Sequence, residues 1–337
     1  MVRLNRKNEI KTKKQKNEII ALAIFLAVAV IAIVAVMVLV KDPDGKAVKK
    51  TSGGEVFKIG GVKCTPKNNV DTYLLMGIDG KGKMADIIES EDACQADVIV
   101  LLVIDREANT FATINIDRDT ITDVDSLDSK GNYLATTPVQ LALAYSHGDG
   151  GELSCENISK AVSNLFFGQQ IDGYAAIGMD AIARINHEVG GVTVTIEDDF
   201  KDSDKSLKMG QTIKLSDKQA QHYLHDRMNV GDGTNVARMR RHNMYLQEFK
   251  KIVKAKAASN KKYPIQLYHS LDEYTVSSLT SNDISKISKA VFKNKELGQF
   301  KFKGTYAIDD YGFNAFTYDK KDLEQLAIKL FYDKVEK

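Results

Sequence analysis

Between Ile19 and Val40 lie twenty-two consecutive residues drawn from Ile, Ala, Leu, Phe, Val and Met, without one charge, Gly or Pro. As a helix rising about 1.5 Å per residue, such a run spans the roughly 30 Å hydrocarbon core of a bilayer. A helix that is apolar all the way round has no solvent face to offer a soluble domain. A cleaved leader has a shorter apolar stretch, about 7–15 residues, followed by a small-residue cleavage site. Here the run ends Val38-Leu39-Val40-Lys41-Asp42, with no small-x-small pair just behind it. The segment therefore reads as an uncleaved signal anchor. Residues 1–18 hold seven basic side chains (Arg3, Arg6, Lys7, Lys11, Lys13, Lys14, Lys16) against Glu9 and Glu18, while Lys41, Asp42 and Asp44 follow the run. The positive-inside rule sets the N-terminus in the cytoplasm and residues 41–337 outside, in a single-pass protein of the cell membrane.

The anchor sorts the charge. Of 47 basic and 45 acidic residues, the part beyond residue 18 keeps 40 and 43, a formal −3. An outward part that is slightly acidic lacks the electrostatic footprint of a nucleic-acid binder. Cys64, Cys94 and Cys155 allow one disulfide with a thiol left over, and their spacings of thirty and sixty-one residues match no zinc pattern. His222 and His225, three apart on an expected helix, lack a Cys or Glu partner and read as solvated positions rather than metal ligands.

Residues 41–69 are rich in Lys, Gly, Asp, Ser and Thr without periodicity, as in a spacer. Order begins with Thr72–Met76, Val98–Ile104 and Thr110–Ile116, short apolar runs rich in β-branched residues and bounded by Gly, Asp or Asn, which predict strands. Pro138 is expected to open a helix through Ala144. Ser154 is a candidate N-cap for a helix carrying Ile158, Ala161, Val162 and Leu165 at helical spacing. A helix over Asp180–Val189 should stop at Gly190-Gly191, with a strand over Val192–Glu197. Ser216 and Gln219 form a capping box for a helix running to about Arg227, and Asn235 is placed to cap a long helix to about Lys254. Further helices are expected at Asp283–Phe292 and around Leu323, Leu326, Ala327 and Leu330. Intermixed helices and strands predict an α/β or α+β domain, a mixed α/β/α sandwich with helices on both faces of a mixed sheet, behind the single transmembrane helix.

No nucleophile elbow, phosphate loop or HExxH motif is present. What remains is charge at strand ends. Asp79 follows the first strand, Asp97 opens the second, and Asp117-Arg118-Asp119 follows the third. If those strands are neighbours, Asp79, Asp97, Arg118 and Asp119 converge on one rim. Two hard carboxylates there suit Mg²⁺, which keeps coordination positions for water and phosphate. A second set is Arg227, Arg238, Arg240 and Arg241. Arg238 and Arg241 share a helix face near an N-terminus that favours anions, and guanidinium pairs well with phosphate. Carboxylates, a divalent ion and arginines together point to a pyrophosphate substrate. A solvated basic face is the plainer reading of the arginines, and nucleic acid ranks behind both.

The run Thr72-Tyr-Leu-Leu-Met-Gly-Ile-Asp79, Ala96-Asp97, Ile116-Asp-Arg118-Asp119-Thr120, Gly190-Gly-Val-Thr-Val-Thr195, Leu215-Ser-Asp-Lys-Gln-Ala220 and Arg227…Asp232-Gly-Thr-Asn-Val-Ala-Arg238-Met-Arg-Arg241 resembles the LytR-CpsA-Psr family in order and spacing, over roughly residues 70–250. The resemblance implies an envelope phosphotransferase of the polyisoprenyl-teichoic acid–peptidoglycan type, with a pyrophosphatase side activity. Such an enzyme moves a teichoic acid or capsule-like polymer from an undecaprenyl diphosphate carrier to peptidoglycan, with Mg²⁺, or Mn²⁺ in its place, at the diphosphate and the prenyl tail in an apolar tunnel. It further implies Asp79 and Asp97 as metal ligands, and Arg118, Arg227 and Arg238 as diphosphate ligands with Arg241 a secondary contact. Asp119 would orient the arginines or take the proton of the attacking hydroxyl. The matching organisation is a cytoplasmic tail over 1–18, the anchor over 19–40, an extracellular spacer over 41–69 and a catalytic domain over 70–254. Residues 255–337 form its C-terminal part or a small extension.

The chain departs from the family pattern at Gln95 and His225, where arginines are usual, at His242 for a glutamine and at Asn235 for an aspartate. Fewer cations imply weaker diphosphate binding or a differently charged polymer. They also keep open a non-catalytic envelope protein that holds prenyl diphosphate or polymer without cleaving it. A regulator of envelope biogenesis acting on transcription would need the arginine helix to reach DNA, against the topology.

Overall fold

The computed structural model describes residues 56–80, 82–89, 94–128, 130–226, 229–233, 235–260, 262–309 and 312–335. The expected anchor and Arg227 lie outside them. Among the described residues no helix is long and apolar enough to cross a membrane.

In chain order the elements are β1 (Phe57–Ile59), β2 (Val62–Pro66), β3 (Val70–Ile78), α1 (Met84–Glu89), β4 (Ala96–Asp105), β5 (Thr110–Ile116), β6 (Ile121–Leu127), β7 (Tyr133–Gln140), α2 (Leu143–Ser146), α3 (Glu152–Leu165), β8 (Gly173–Gly178), α4 (Ala181–Val189), β9 (Thr193–Thr195), β10 (Thr212–Lys214), α5 (Asp217–His225) and α6 (Asn235–Ser259). They continue with α7 (Tyr263–His269), β11 (Thr275–Ser277), α8 (Ser281–Lys293), β12 (Lys295–Phe300), β13 (Gly304–Ile308), β14 (Asn314–Tyr318), α9 (Lys320–Phe331) and β15 (Tyr332–Lys334).

The three strands read from their apolar runs are neighbours in a mixed sheet of order β11-β8-β3-β4-β5-β12. β3 pairs antiparallel with β4 and parallel with β8, β4 pairs antiparallel with β5, and β12 lies parallel to β5. Every residue of β3 is buried, as an internal strand covered on both faces requires. One face packs Tyr73, Leu75, Val98, Val100 and Leu102 against α4 to α8. The other packs Leu74, Met76, Ile99 and Leu101 against α2, α3 and α9. The result is a mixed sheet between two helical layers. The apolar segments Leu141–Ala144, Ile158–Phe167 and Ile182–Val189 contribute mainly to these cores.

Several local expectations meet their chemistry. The capping box of Ser216 and Gln219 starts α5 with both reciprocal hydrogen bonds, and α4 stops at Gly190, whose φ of 81° is left-handed. Three expectations are corrected. Ser154 is not the N-cap of α3: the helix begins at Glu152 behind Gly151, and the Ser154 hydroxyl, inside the first turn, accepts the Gly150 N–H at 2.7 Å. Pro138 lies inside β7, opposite Asp123 in the hairpin with β6. Among the described residues β7 bonds only to β6, so one side of it is an edge where a residue without an N–H is tolerated. Within the segment read as spacer, β1 and β2 form a small sheet with β15. They were illegible because two short strands with mixed polarity carry little period-two signal.

A buried side chain ties the helices that follow β8. Asn186 is fully buried. Its Nδ2 donates to the Leu215 carbonyl and to Asp217 Oδ1, both at 3.0 Å. Its Oδ1 accepts from the Val192 N–H at 3.1 Å and the Tyr245 hydroxyl at 3.2 Å. That set joins α4, the start of α5 and α6. Asn186→Ala strands three or four buried partners, each costing about 1–3 kcal/mol, so urea denaturation should show a loss of about 3 kcal/mol or more.

Candidate functional site

The site grows out of an irregularity in the sheet. Gly77 pairs with Val98 but Ile78 pairs with Ala96, so Asp97 is an extra, unpaired residue of β4. Such a bulge re-aims side chains: Val98 faces the α4–α8 core while Ala96 faces the α2–α3–α9 core. Just beyond it, Asp79 Oδ1 accepts the Gln95 N–H at 2.7 Å and the Asp79 N–H donates to the Gln95 carbonyl at 3.2 Å.

The turn after β5 faces this bulge. Asp117 holds it, accepting the Asp119 N–H on its side chain at 3.0 Å and the Thr120 N–H on its carbonyl at 3.0 Å. Arg118 then reaches across. Its Nη1 donates to Asp97 Oδ1 and its Nη2 to Gln95 Oε1, and its Nε lies 3.7 Å from Asp119 Oδ1. Asp79, Asp97, Arg118 and Asp119 thus lie along one rim, as their positions at strand ends predict, with Gln95 linking Asp79 to Arg118. Gln95, where the family pattern has an arginine, is an acceptor for Arg118 rather than a second cation.

Asp119 is 8% exposed. Burial, and next the Asp117 carboxylate, push its pKa up to about 6 against the opposing charge of Arg118. A cavity of about 330 Å³ opens beside Arg118 and Asp119. Gln95, Gln140, Leu143, Phe313 and Asn314 complete its walls, which set polar side chains beside the apolar surfaces of Leu143 and Phe313. Gln140, Phe313 and Asn314 escaped the sequence reading because no local motif marks them.

The helical arginines form a second cluster on α6. Arg238 and Arg241 are both buried. Arg241 Nη2 donates to the Asp226 carbonyl at 2.7 Å, its Nε lies 3.5 Å from Asp198 Oδ2, and its guanidinium sits 5.0 Å from the Phe200 ring centre. Burial lowers its pKa, with Asp198 opposing. Exposed Arg240 pairs with Glu197 and Asp198, each at 2.7 Å. His222 and His225 are not free helix positions: their Nδ1 atoms lie 2.7 and 3.2 Å from the Asp226 carboxylate. Burial pushes that carboxyl up, but hydrogen bonds from Ser203, His222 and His225 outweigh it and hold the pKa below the usual range. The contacts of Arg241 therefore run to Asp198, Asp226 and Phe200 rather than to Arg118.

The fold is thus a mixed α/β/α sandwich with a carboxylate-and-guanidinium cleft at its strand ends. Residues 37–331 match the LytR_cpsA_psr family, and the chain belongs to that family of cell-envelope glycopolymer transferases. No curated protein matches it by sequence. Among solved structures it is similar to TagV of B. subtilis, at 20% identity and a TM-score of 0.53 over 78% of this chain and 96% of that one. It is similar to gbs0355 of Streptococcus agalactiae at 19% and 0.54, over 77% and 87%, and to TagT bound to LI-WTA at 18% and 0.50, over 78% and 89%. At such identities these likenesses establish the fold.

The buried carboxyl has a stability consequence. Folded Asp119 holds its proton more tightly than the unfolded group, whose pKa is about 4. Its contribution to stability is present below that value and lost as pH rises through about 6. Asp119→Asn removes the penalty of a buried charge, so thermal or urea unfolding at pH 8 should find the variant about 2 kcal/mol more stable than the wild type, with the difference shrinking toward pH 4.

Proposed function

We propose that the chain transfers a glycopolymer from undecaprenyl diphosphate to a hydroxyl of peptidoglycan at the outer face of the cell membrane. The observation that carries this reading is the cluster in which Arg118, clamped by Asp97 and Gln95, lies beside the buried carboxyl of Asp119. The acceptor oxygen bonds to the phosphorus nearest the glycan, and the bond from that phosphorus to the bridging oxygen breaks. Undecaprenyl phosphate leaves with the electron pair, and the hydroxyl proton passes to Asp119. Arg118 holds the diphosphate oxygens as their charge redistributes. A pKa of about 6 makes Asp119 ionised at neutral pH yet basic enough to take that proton. With water in place of the acceptor, the same geometry gives a pyrophosphatase side activity.

The same reading includes a divalent cation. Among the described residues there is no group of three or more His, Cys, Asp or Glu suited to a metal. Asp79 and Asp97 offer hard oxygens on either side of Gln95, and two carboxylates leave positions for water and phosphate, the habit of Mg²⁺. Bound there, Mg²⁺ or Mn²⁺ would supply neutralising charge at the diphosphate oxygens. Arg227 and Arg238 are further diphosphate ligands in this reading, and Arg241, whose Nη2 donates to the Asp226 carbonyl and whose charge faces Asp198, acts as a positioning residue for α6. Gln95 and His225, neutral or already paired where the family pattern has arginines, favour a second reading in which the site binds the lipid without cleaving it.

Release of undecaprenyl phosphate from a lipid-linked diphosphate glycan, with Mg²⁺ and a peptidoglycan acceptor present, separates the two. Turnover should rise with pH to a plateau above about 6 and fall by about 100-fold or more in Arg118→Ala. Intact bound lipid after prolonged incubation with the wild type overturns the transferase in favour of the binding protein, and unchanged turnover in Arg118→Ala overturns the role given to the Arg118 cluster.

A further inference from the structure

The cavity beside Arg118 is completed by a part of the chain far outside the motifs that carry the family pattern. β13 and β14 pair from Gly304 with Tyr318 to Ile308 with Asn314, and their turn is tightly tied. The Phe313 N–H donates to Asp309 Oδ1 and the Asp309 N–H to the Phe313 carbonyl, both at 2.8 Å. Gly312, at a left-handed φ of 87°, closes the turn onto the Asp309 carbonyl at 3.0 Å.

The hairpin is also registered on the active turn. The Phe316 N–H donates to the Asp119 carbonyl at 2.8 Å, and Thr120 and Phe316 form a parallel bridge. Gln140 Nε2 lies 3.2 Å from the Asn314 carbonyl and 3.3 Å from Asp309 Oδ2. Phe316 is buried against Tyr306, with ring centres 4.7 Å apart. The hydrogen bonds of Asp309 and Phe313 therefore hold Phe313 at the cavity, yet the residue is 65% exposed.

The geometry points to a glycan subsite in which the Phe313 ring is the platform for an uncharged pyranose next to the diphosphate of the donor. A pyranose has an apolar C–H face that packs on an aromatic ring, while its equatorial hydroxyls need amide-type donors and acceptors. The walls supply both: Phe313 on one side, with Gln95, Gln140 and Asn314 around it. The hairpin adds no cation to the lining, so it selects the sugar rather than the phosphate. This inference rests on the transferase reading for its reaction, but its ligand contact is tested by itself.

The test uses the full chain in detergent with two probes, a short prenyl diphosphate and the same lipid carrying a neutral disaccharide, and compares wild type with Phe313→Ala and Phe313→Trp. The sugar-bearing probe should bind about tenfold more tightly than the bare one to the wild type. That ratio should fall to about one in Phe313→Ala and return in Phe313→Trp. Equal binding of the two probes by the wild type, or an unchanged ratio in Phe313→Ala, overturns the subsite and leaves the diphosphate reading standing. If the wild type binds neither probe, that reading fails instead, and the free disaccharide decides the subsite. Saturation transfer to its ring protons that is lost in Phe313→Ala supports the subsite, and no transfer to the wild type overturns it.

Discussion

One extra residue in β4 governs where the polar groups of this fold point. β3, β4 and β8 are internal strands with helices on both faces, so their side chains alternate between two apolar cores. In a regular ladder Asp97 would fall in step with Ile99 and Leu101 and face the core of α2, α3 and α9. The bulge opposite Gly77 and Ile78 removes it from that alternation and leaves Ala96 to fill the core instead. With Asp97 at the rim, Arg118 has a carboxylate to reach from the end of β5. With Arg118 held, Asp119 is packed beside it in a buried position whose charge is disfavoured.

The charge balance of the rim follows. Asp79, Asp97, Asp117 and Asp119 surround one guanidinium, that of Arg118, and Gln95 adds an acceptor instead of a cation. Burial first, and the Asp117 carboxylate next, raise the pKa of Asp119 to about 6 against the charge of Arg118. A diphosphate approaching such a rim meets repulsion unless further positive charge arrives with it or lies nearby. That requirement fits a divalent cation on Asp79 and Asp97 better than it fits α6, where Arg240 and Arg241 already engage Glu197, Asp198 and Asp226.

How much of this was legible follows from the range of the interactions. The central strands, the capping box of α5, the stop at Gly190 and the grouping of Asp79, Asp97, Arg118 and Asp119 rest on apolar runs and turn residues within a few positions of each other. The role of Pro138 depended on knowing that β7 bonds on one side only, which is a tertiary fact. Asn186 looks like any polar residue on an amphipathic helix until Leu215, Val192, Asp217 and Tyr245 arrive around it. Arg241 carries the same signal as a phosphate ligand, a cation near a helix N-terminus, and only the burial of Asp198 and Phe200 against it shows where its donors are used. Gln140 meets Asp309 across 169 residues, a separation that no local spacing encodes.

That last contact shows how the end of the chain enters the chemistry. β11 pairs with β8 and β12 with β5, so segments from beyond residue 270 cap both edges of the central sheet and make the active strands internal. The next hairpin, β13–β14, leaves the sheet and bonds through Phe316 to the carbonyl of Asp119 itself. The backbone that carries the Asp119 carboxyl is thereby fixed from both sides, by β5 before it and by the hairpin after it. A carboxyl held this way cannot swing toward water to relieve its buried charge, so its raised pKa and the cavity wall have the same structural origin. Sequence variation in the hairpin turn can then alter which sugar is accepted while the carboxylates and Arg118 at the rim stay as they are.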